Sequence, residues 1–91
     1  MKKKAPTKGR RIEMKIPIGV PTLELWRALH ADNDYSIIGS RLNPEVTRGA
    51  IRKYMKESDE NPELMIPKSV ANEIKKYYQE KAEALKAQNA A

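Results

Sequence analysis

The sequence contains no cysteine, no phenylalanine and only one histidine. Without cysteine, neither a disulfide framework nor a thiolate zinc site can form. No apolar run approaches the roughly 20 residues that span a bilayer, and no uninterrupted apolar stretch follows the basic start. We therefore expect neither a membrane segment nor a secretory signal. A lone histidine, no glycine-rich phosphate loop and no serine beside a base also argue against an enzyme, a metal site or a bound cofactor.

The charge of the chain is concentrated at its beginning. Its 91 residues carry 18 Lys and Arg against 12 Asp and Glu, which gives a formal net charge of +6. The first eleven residues hold six of the basic groups and no acid, and the remainder is neutral; the six are Lys2, Lys3, Lys4, Lys8, Arg10 and Arg11. Because this segment has no apolar periodicity, we predict a flexible basic arm over residues 1–11 and a single helical domain over 12–88.

The predicted domain begins with a short β segment. Apolar residues alternate over 12–18, which predicts a strand with Pro17 at an edge or an end. A first helix follows from about Thr22, because apolar residues then recur at helical spacing. Trp26 is predicted to anchor the core from this helix, and His30 to pack at its end.

Two further helices are predicted in the middle of the chain. The second covers about 35–42, with Asp34 as its N-cap. Asn43-Pro44-Glu45 is typical of a helix start, which predicts a third helix from Asn43 to about Ser58. Residues 57–63 carry four acids and are expected to form a surface turn.

The chain then returns to a short apolar stretch and a last helix. Residues 64–66 could pair with the 12–18 segment. The last helix is expected after Pro67 with Ser69 as its cap, and its apolar stripe comprises Ala71, Ile74, Tyr78, Ala82 and Leu85. Tyr77 and Tyr78 fit either the core or a dimer interface. The fold class predicted is therefore mainly α, with three helices, a C-terminal helix and a short β segment near 12–18.

The third helix has two contrasting faces. At about 100° per residue, one half is apolar (Val46, Ala50, Ile51, Tyr54 and Met55). The other half offers a basic strip around one glycine, and its members are Arg48, Gly49, Arg52, Lys53 and Lys56.

This region resembles a known family of DNA-binding proteins. The stretch VTRGAIRKYM is similar to the recognition helix of helix-turn-helix proteins, and IIGSRL before it looks like their supporting helix, with Gly39 at the helix crossing. The usual turn has one glycine before the valine, where this chain has Asn43-Pro44-Glu45. Either the turn is longer and Thr47 is the cap, or the helix starts early at Pro44.

The resemblance implies sequence-specific binding of double-stranded DNA, with the third helix in the major groove. It places Thr47, Arg48 and Gly49 at the helix tip, where base contacts are made, with Arg52 and Lys53 following. Arginine at 48 or 52 would read guanine, while the lysines, with Lys56, meet phosphates. The arm would follow the backbone or enter the minor groove.

The expected role is that of a transcriptional regulator, such as a repressor of the bacteriophage or mobile-element type. It would act as a homodimer, with helix 69–88 as the candidate contact, on the nucleoid in the bacterial or phage-infected cytoplasm. Two alternatives remain. A ribbon-helix-helix repressor would read DNA through Glu13 and Lys15, and three helices before Ser58 would exclude it. A protein-interaction module, such as a packaging or replication accessory subunit, would use its helices for protein contacts.

Overall fold

A computed structural model of the chain describes residues 13–90, with side chains described as far as residue 88. The described residues form four helices and a two-stranded antiparallel sheet, so the fold is mainly α with a short β segment, as predicted. The elements are β1 (Lys15–Pro17), α1 (Val20–Leu29), α2 (Asp34–Ser40), α3 (Arg48–Glu60), β2 (Met65–Pro67) and α4 (Lys68–Ala90). The predicted arm, with Lys2, Lys3, Lys4, Lys8, Arg10 and Arg11, lies outside the described residues.

The sheet joins the two apolar stretches that the sequence suggested as partners. Ile16 pairs with Ile66 in an antiparallel register, and Pro17 ends β1. Ile66 is buried and Ile16 half-buried, because alternation sends both side chains to the inner face. The predicted strand within 12–18 is confirmed, and its pairing with the stretch after the acidic turn, which the sequence left open, is the observed one.

The residues before β1 contact the N-terminus of α4, and Ser69 is not the N-cap of that helix. The helix begins one residue earlier, at Lys68, whose amide donates to the carbonyl oxygen of Met14 over 2.8 Å. The Ser69 amide donates to the carboxylate of Glu13 over 2.6 Å. A carboxylate at this position satisfies a free helical N–H and complements the helix dipole. The cap therefore comes from 56 positions earlier in the chain.

Helix α1 begins at Val20, two residues before the predicted start. Gly19 precedes it with φ +96°, a left-handed backbone conformation that residues with a Cβ rarely adopt. Trp26 is buried, as predicted, and its indole N–H donates to the hydroxyl of Tyr35 over 3.1 Å. His30 follows the helix and stacks on Trp26 with 4.6 Å between ring centroids, which confirms its predicted packing at the helix end.

Helix α2 is shorter than predicted, and Asp34 is not its N-cap. Asn33 takes the cap position without a side-chain hydrogen bond, and Asp34 is the first helical residue. The Asp34 carboxylate is buried and turns toward α4, so it is engaged elsewhere. The helix ends at Ser40 rather than at Leu42, which is half-buried against the core.

Helix α3 begins at Arg48, so the predicted start at Asn43 is wrong. The chain between α2 and α3 runs back along α2, because the Val46 amide donates to the carbonyl oxygen of Gly39 over 3.1 Å. The helix then starts where Thr47 Oγ1 accepts the Ala50 amide over 3.2 Å, which is a normal N-cap bond. Of the two possibilities left open by the sequence, the longer turn with Thr47 as cap is the observed one.

The C-terminal half of the predicted acidic turn is a turn, but its first half is helical. Helix α3 continues to Glu60 and includes Glu57 and Asp59. Only residues 61–64 connect it to β2.

Helix α4 closes the core. Val70, Ala71, Ile74 and Tyr78 are buried between the sheet and the other helices, whereas residues 83–88 are exposed. Tyr78 thus belongs to the core, and Tyr77 packs against it half-buried.

The ribbon-helix-helix alternative does not match this architecture. Three helices precede β2, where that repressor type has two, and β1 pairs within the chain with β2. Among the described helices, none has the length and apolar character that crossing a membrane requires.

Candidate nucleic-acid interface

The exposed face of α3 brings together the basic residues predicted from the sequence. Successive helical residues advance by about 100°, so five positions of α3 fall within an arc of about 140°. All five are exposed to solvent, and they are Arg48, Gly49, Arg52, Lys53 and Lys56. We call these five residues the α3 basic face.

The opposite face of α3 fixes the direction in which the basic face points. Ile51, Met55 and Ser58 are fully buried, and Tyr54 is half-buried against the same core. Rotating α3 would expose Ile51 and Met55, at a cost of roughly 1.5–3 kcal/mol for each side chain. The basic face is therefore held toward solvent by the packing behind it.

The start of α3 is fixed by a close contact with α2. A Cβ on Gly39 would overlap the carbonyl oxygen of Val46 and would lie 3.7 Å from Cγ1 of Ile51. The resemblance placed Gly39 at a helix crossing; the closest contact is with the backbone just before α3. Thr47 follows directly and lies exposed at the tip of the helix.

The arginines of residues 13–90 divide into two kinds. Arg27 pairs with Asp59 over 2.6 Å, and Arg41 lies 3.5 Å from Glu73 and 3.3 Å from Glu80. Arg41 also lies over the ring of Tyr77, at 5.3 Å from its centroid. Arg27 thereby connects α1 to α3, and Arg41, directly after α2, contacts α4.

Arg48 and Arg52 differ from Arg27 and Arg41 in having no acidic partner among the described residues. Both are exposed, and the ion pairs found among the described residues include neither of them. A guanidinium carries five N–H donors in a planar fork that matches two adjacent acceptors. Two such groups, one helical turn apart on one face, are available to an acceptor-rich partner.

A shallow open groove runs beside the two arginines. Its lining combines the turn between α1 and α2 with the start of α3, and comprises Asp32, Tyr35, Arg48, Gly49 and Arg52. A Cβ on Gly49 would have no neighbouring heavy atom within 4 Å, so this position leaves the groove open. Asp32 and Tyr35 were not predicted as site residues, because only folding brings them next to α3.

The charge of α3 changes sign along its length. The basic residues occupy the first turns, while Glu57 and Glu60 are exposed near its C-terminal end. A polyanion is therefore attracted to the N-terminal part of α3 and repelled from its end.

A buried carboxylate holds α2 in place behind this surface. Asp34 is 1% exposed, and it accepts hydrogen bonds from Tyr77 over 2.6 Å and from Tyr78 over 2.9 Å. Lys81 adds an ion pair at 2.9 Å, and the Ala31 amide donates over 2.8 Å. Sequence patterns missed this cluster, because its members are separated by 43 to 47 positions in the chain.

The cluster shifts the pKa values of its members. Burial raises the pKa of Asp34, but hydrogen bonds from Tyr77, Ala31, Lys81 and Tyr78 outweigh it and bring the pKa below its ordinary 3.8. Burial, then the hydrogen bond to Asp34 and its charge, raise the pKa of Tyr77 to about 12. The same causes raise the pKa of Tyr78. Asp34 is therefore ionised at neutral pH, as a stable acceptor for both hydroxyls.

Within the described part of the chain, no three His, Asp or Glu side chains are grouped as metal ligands. No protein-family model matches the chain, and comparison with curated proteins and with solved structures finds no significant match.

Proposed function

We propose that this chain binds double-stranded DNA in a sequence-dependent manner, with α3 entering the major groove. The observation that carries the proposal is the state of Arg48 and Arg52. They are exposed on one face and unpaired among the described residues, whereas Arg27 and Arg41 are engaged in ion pairs. Arginine is the residue that most often reads guanine in the major groove.

The roles within the α3 basic face follow from position. Arg48 and Arg52 contact base edges, with Thr47 and Gly49 at the helix tip beside them. Gly49 has no side chain, so a base edge can approach α3 closely there. Lys53 and Lys56 bind phosphates, because a compact ammonium on a flexible stem suits a point charge.

The basic arm adds affinity that does not depend on sequence. Its six positive charges are Lys2, Lys3, Lys4, Lys8, Arg10 and Arg11. If each meets one phosphate, the arm contributes about −5 to the slope of log affinity against log salt, at roughly 0.9 per contact. The neutral remainder then supplies register and base selection.

A homodimer doubles the number of base pairs that one recognition helix can read. Its contact is narrower than the whole of 69–88, because Ala71, Ile74 and Tyr78 already lie in the core of the chain. The proposed contact is the exposed end of α4 at 83–88, where Leu85 is 38% exposed. The chain then acts on the nucleoid as a transcriptional regulator, such as a phage-type repressor.

The test compares selection from random duplex DNA by the wild type and by Arg48→Ala/Arg52→Ala. At roughly 1–3 kcal/mol per base contact, losing two contacts reduces discrimination by on the order of 30-fold or more. The control is Lys76→Ala/Lys86→Ala, which removes the same charge from exposed positions of α4. Thermal unfolding should be unchanged in both variants. Unchanged sequence discrimination in the arginine variant would refute the proposal.

A second candidate function is a protein-interaction module with nucleic-acid contact through the arm alone. The observation that favours it is the exposure of large apolar side chains in and beside the sheet: Met14 is 67%, Met65 52% and Val20 52% exposed. In this case, the arginine variant and the wild type bind DNA alike. Removing the positive charges of the arm separates the two functions further, because only the interaction module then loses all affinity for DNA.

A further inference from the structure

The groove beside α3 contains one negative charge that the proposed function has not used. Asp32 lies in the turn between α1 and α2 and lines the groove together with Arg48 and Arg52. It is exposed, and the ion pairs of the described residues include none between Asp32 and either arginine. One wall of the groove is therefore acidic and the other basic.

Asp32 differs in this respect from Asp34, two residues later. Asp34 is buried and accepts four donors, so its carboxylate is saturated by the fold. The Asp32 carboxylate keeps its acceptor capacity for a partner. A carboxylate at this place also disfavours a phosphate in the groove, because a phosphate presents only acceptors and negative charge.

The groove thus suits a surface that presents acceptors and a donor side by side. In the major groove, a G·C pair presents the N7 and O6 acceptors of guanine and the N4 amino donor of cytosine. An arginine fork matches the two acceptors, and a carboxylate accepts from the amino group. A T·A pair in the same position lacks this order of groups and adds a methyl group.

We propose that Asp32 is a specificity-determining residue, which accepts a hydrogen bond from a cytosine amino group while Arg48 or Arg52 binds the guanine of the same base pair. This inference rests on the proposed function, since it requires α3 in the major groove. It extends the reading surface beyond α3 to the turn before α2. It also gives the groove a preference for base edges over phosphates.

The experiment uses the full chain and the duplex that wild type selects from random DNA. Cytosines of that site are replaced one at a time by N4-methylcytosine, which in a Watson–Crick pair directs its methyl group into the major groove and removes the donor. Replacing guanine by inosine is the control duplex, because it leaves the major-groove edge intact. The protein variants are Asp32→Ala and, as a control for charge, Glu24→Ala, which is exposed on α1.

For wild type and Glu24→Ala, one N4-methylcytosine should weaken binding by on the order of tenfold, and inosine should not. For Asp32→Ala, the same methylation should have no effect, preference for that G·C pair should relax, and affinity for unrelated DNA should rise. If wild type discriminates through Arg48 and Arg52 but Asp32→Ala keeps the methylation effect, the Asp32 inference is overturned and the proposed function stands. If wild type selects no sequence, both fail.

Discussion

The amide of Val46 donates a hydrogen bond to the carbonyl oxygen of Gly39, and the carbonyl of Val46 occupies the space that a Cβ on Gly39 would need. This contact sets the distance between α2 and the start of α3. Because Arg48 follows two residues after Val46, the contact also sets the position of the α3 basic face.

Adding a methyl group at Gly39 should therefore be costly. Gly39→Ala places Cβ against backbone that cannot rotate away, and we expect a loss of about 3 kcal/mol in the free energy of unfolding. Gly49→Ala is the matched control in α3, where the Cβ meets nothing. It should stabilise the helix by roughly 0.5–1 kcal/mol, because alanine is the better helix former. Chemical denaturation measures the free energy of unfolding of both variants. Equal effects of the two substitutions would contradict the close contact between Gly39 and Val46.

Removing the charge of Asp34 should weaken the attachment of α2 to α4. Asp34→Asn leaves the hydroxyls of Tyr77 and Tyr78 and the ammonium of Lys81 with too few acceptors, at a cost of about 3 kcal/mol. Asp32→Asn, at an exposed position, should change stability by less than about 0.5 kcal/mol.

The stability difference between wild type and Asp34→Asn should also depend on pH in the acidic range. The folded-state pKa of Asp34 lies below the ordinary 3.8, so its contribution is complete above about pH 4 and is lost as the pH falls through the folded pKa. The stability difference between wild type and Asp34→Asn should narrow below pH 4 in denaturation curves. A difference that persists unchanged at the lowest pH at which the protein stays folded would argue against an ionised Asp34.

Ionisation of Tyr77 and Tyr78 should destabilise the fold at alkaline pH. Their folded-state pKa values are raised above the ordinary 10, so their stabilising contribution is present below pH 10 and is lost as the pH rises beyond it. Tyr78 is fully buried, and its linkage alone gives a slope of up to about 1.4 kcal/mol per pH unit. Tyr78→Phe should be less stable at pH 7 but show a shallower decline above pH 10. Tyr54→Phe, which leaves the Asp34 cluster untouched, should decline as wild type does.

Removing the buried hydroxyl of Ser58 should increase the stability of the fold, in contrast to the substitutions above. Ser58 is fully buried in α3, and its Oγ has no hydrogen-bond partner among residues 13–90. Ser58→Ala removes that unsatisfied group, so we expect a gain of about 1 kcal/mol beyond the helix-propensity effect. Ser36→Ala, at an exposed position of α2, measures the propensity effect alone. A loss of stability in Ser58→Ala would indicate that the hydroxyl has a partner.

The basic arm should determine the salt dependence of DNA binding. Replacing its six Lys and Arg by Gln keeps its length, and should reduce the slope of log affinity against log salt by about 5. The discrimination between sequences should be retained. If the charge-free variant has no affinity for DNA at low salt, the interaction-module function is favoured over major-groove binding.

Local patterns predicted those parts of the fold that depend on neighbouring residues. Alternation predicted β1, and helical spacing placed Ile51 and Met55 inside and Arg48 and Arg52 outside. These patterns reflect the repeat of one strand or one helix against a single core, so they can be recognised without knowing the partner.

Contacts between distant segments were beyond such patterns. Asn43 and Pro44 have the chemistry of a helix start, but the hydrogen bond between Val46 and Gly39 holds the chain along α2 until Thr47. Glu13, rather than Ser69, caps α4 for a similar reason. In each case a suitable local residue was present, and a tertiary contact decided the outcome.

The position of the Asp34 partners has a consequence for the order of folding during synthesis. Translation produces α2 and α3 before Tyr77, Tyr78 and Lys81 of α4 exist, since these follow Asp34 by 43 to 47 positions. Until they emerge, the carboxylate needs water, and α2 cannot take its buried position without a large desolvation cost. The α3 basic face, which depends on the position of α2, is therefore not fixed until Tyr77, Tyr78 and Lys81 have been synthesised.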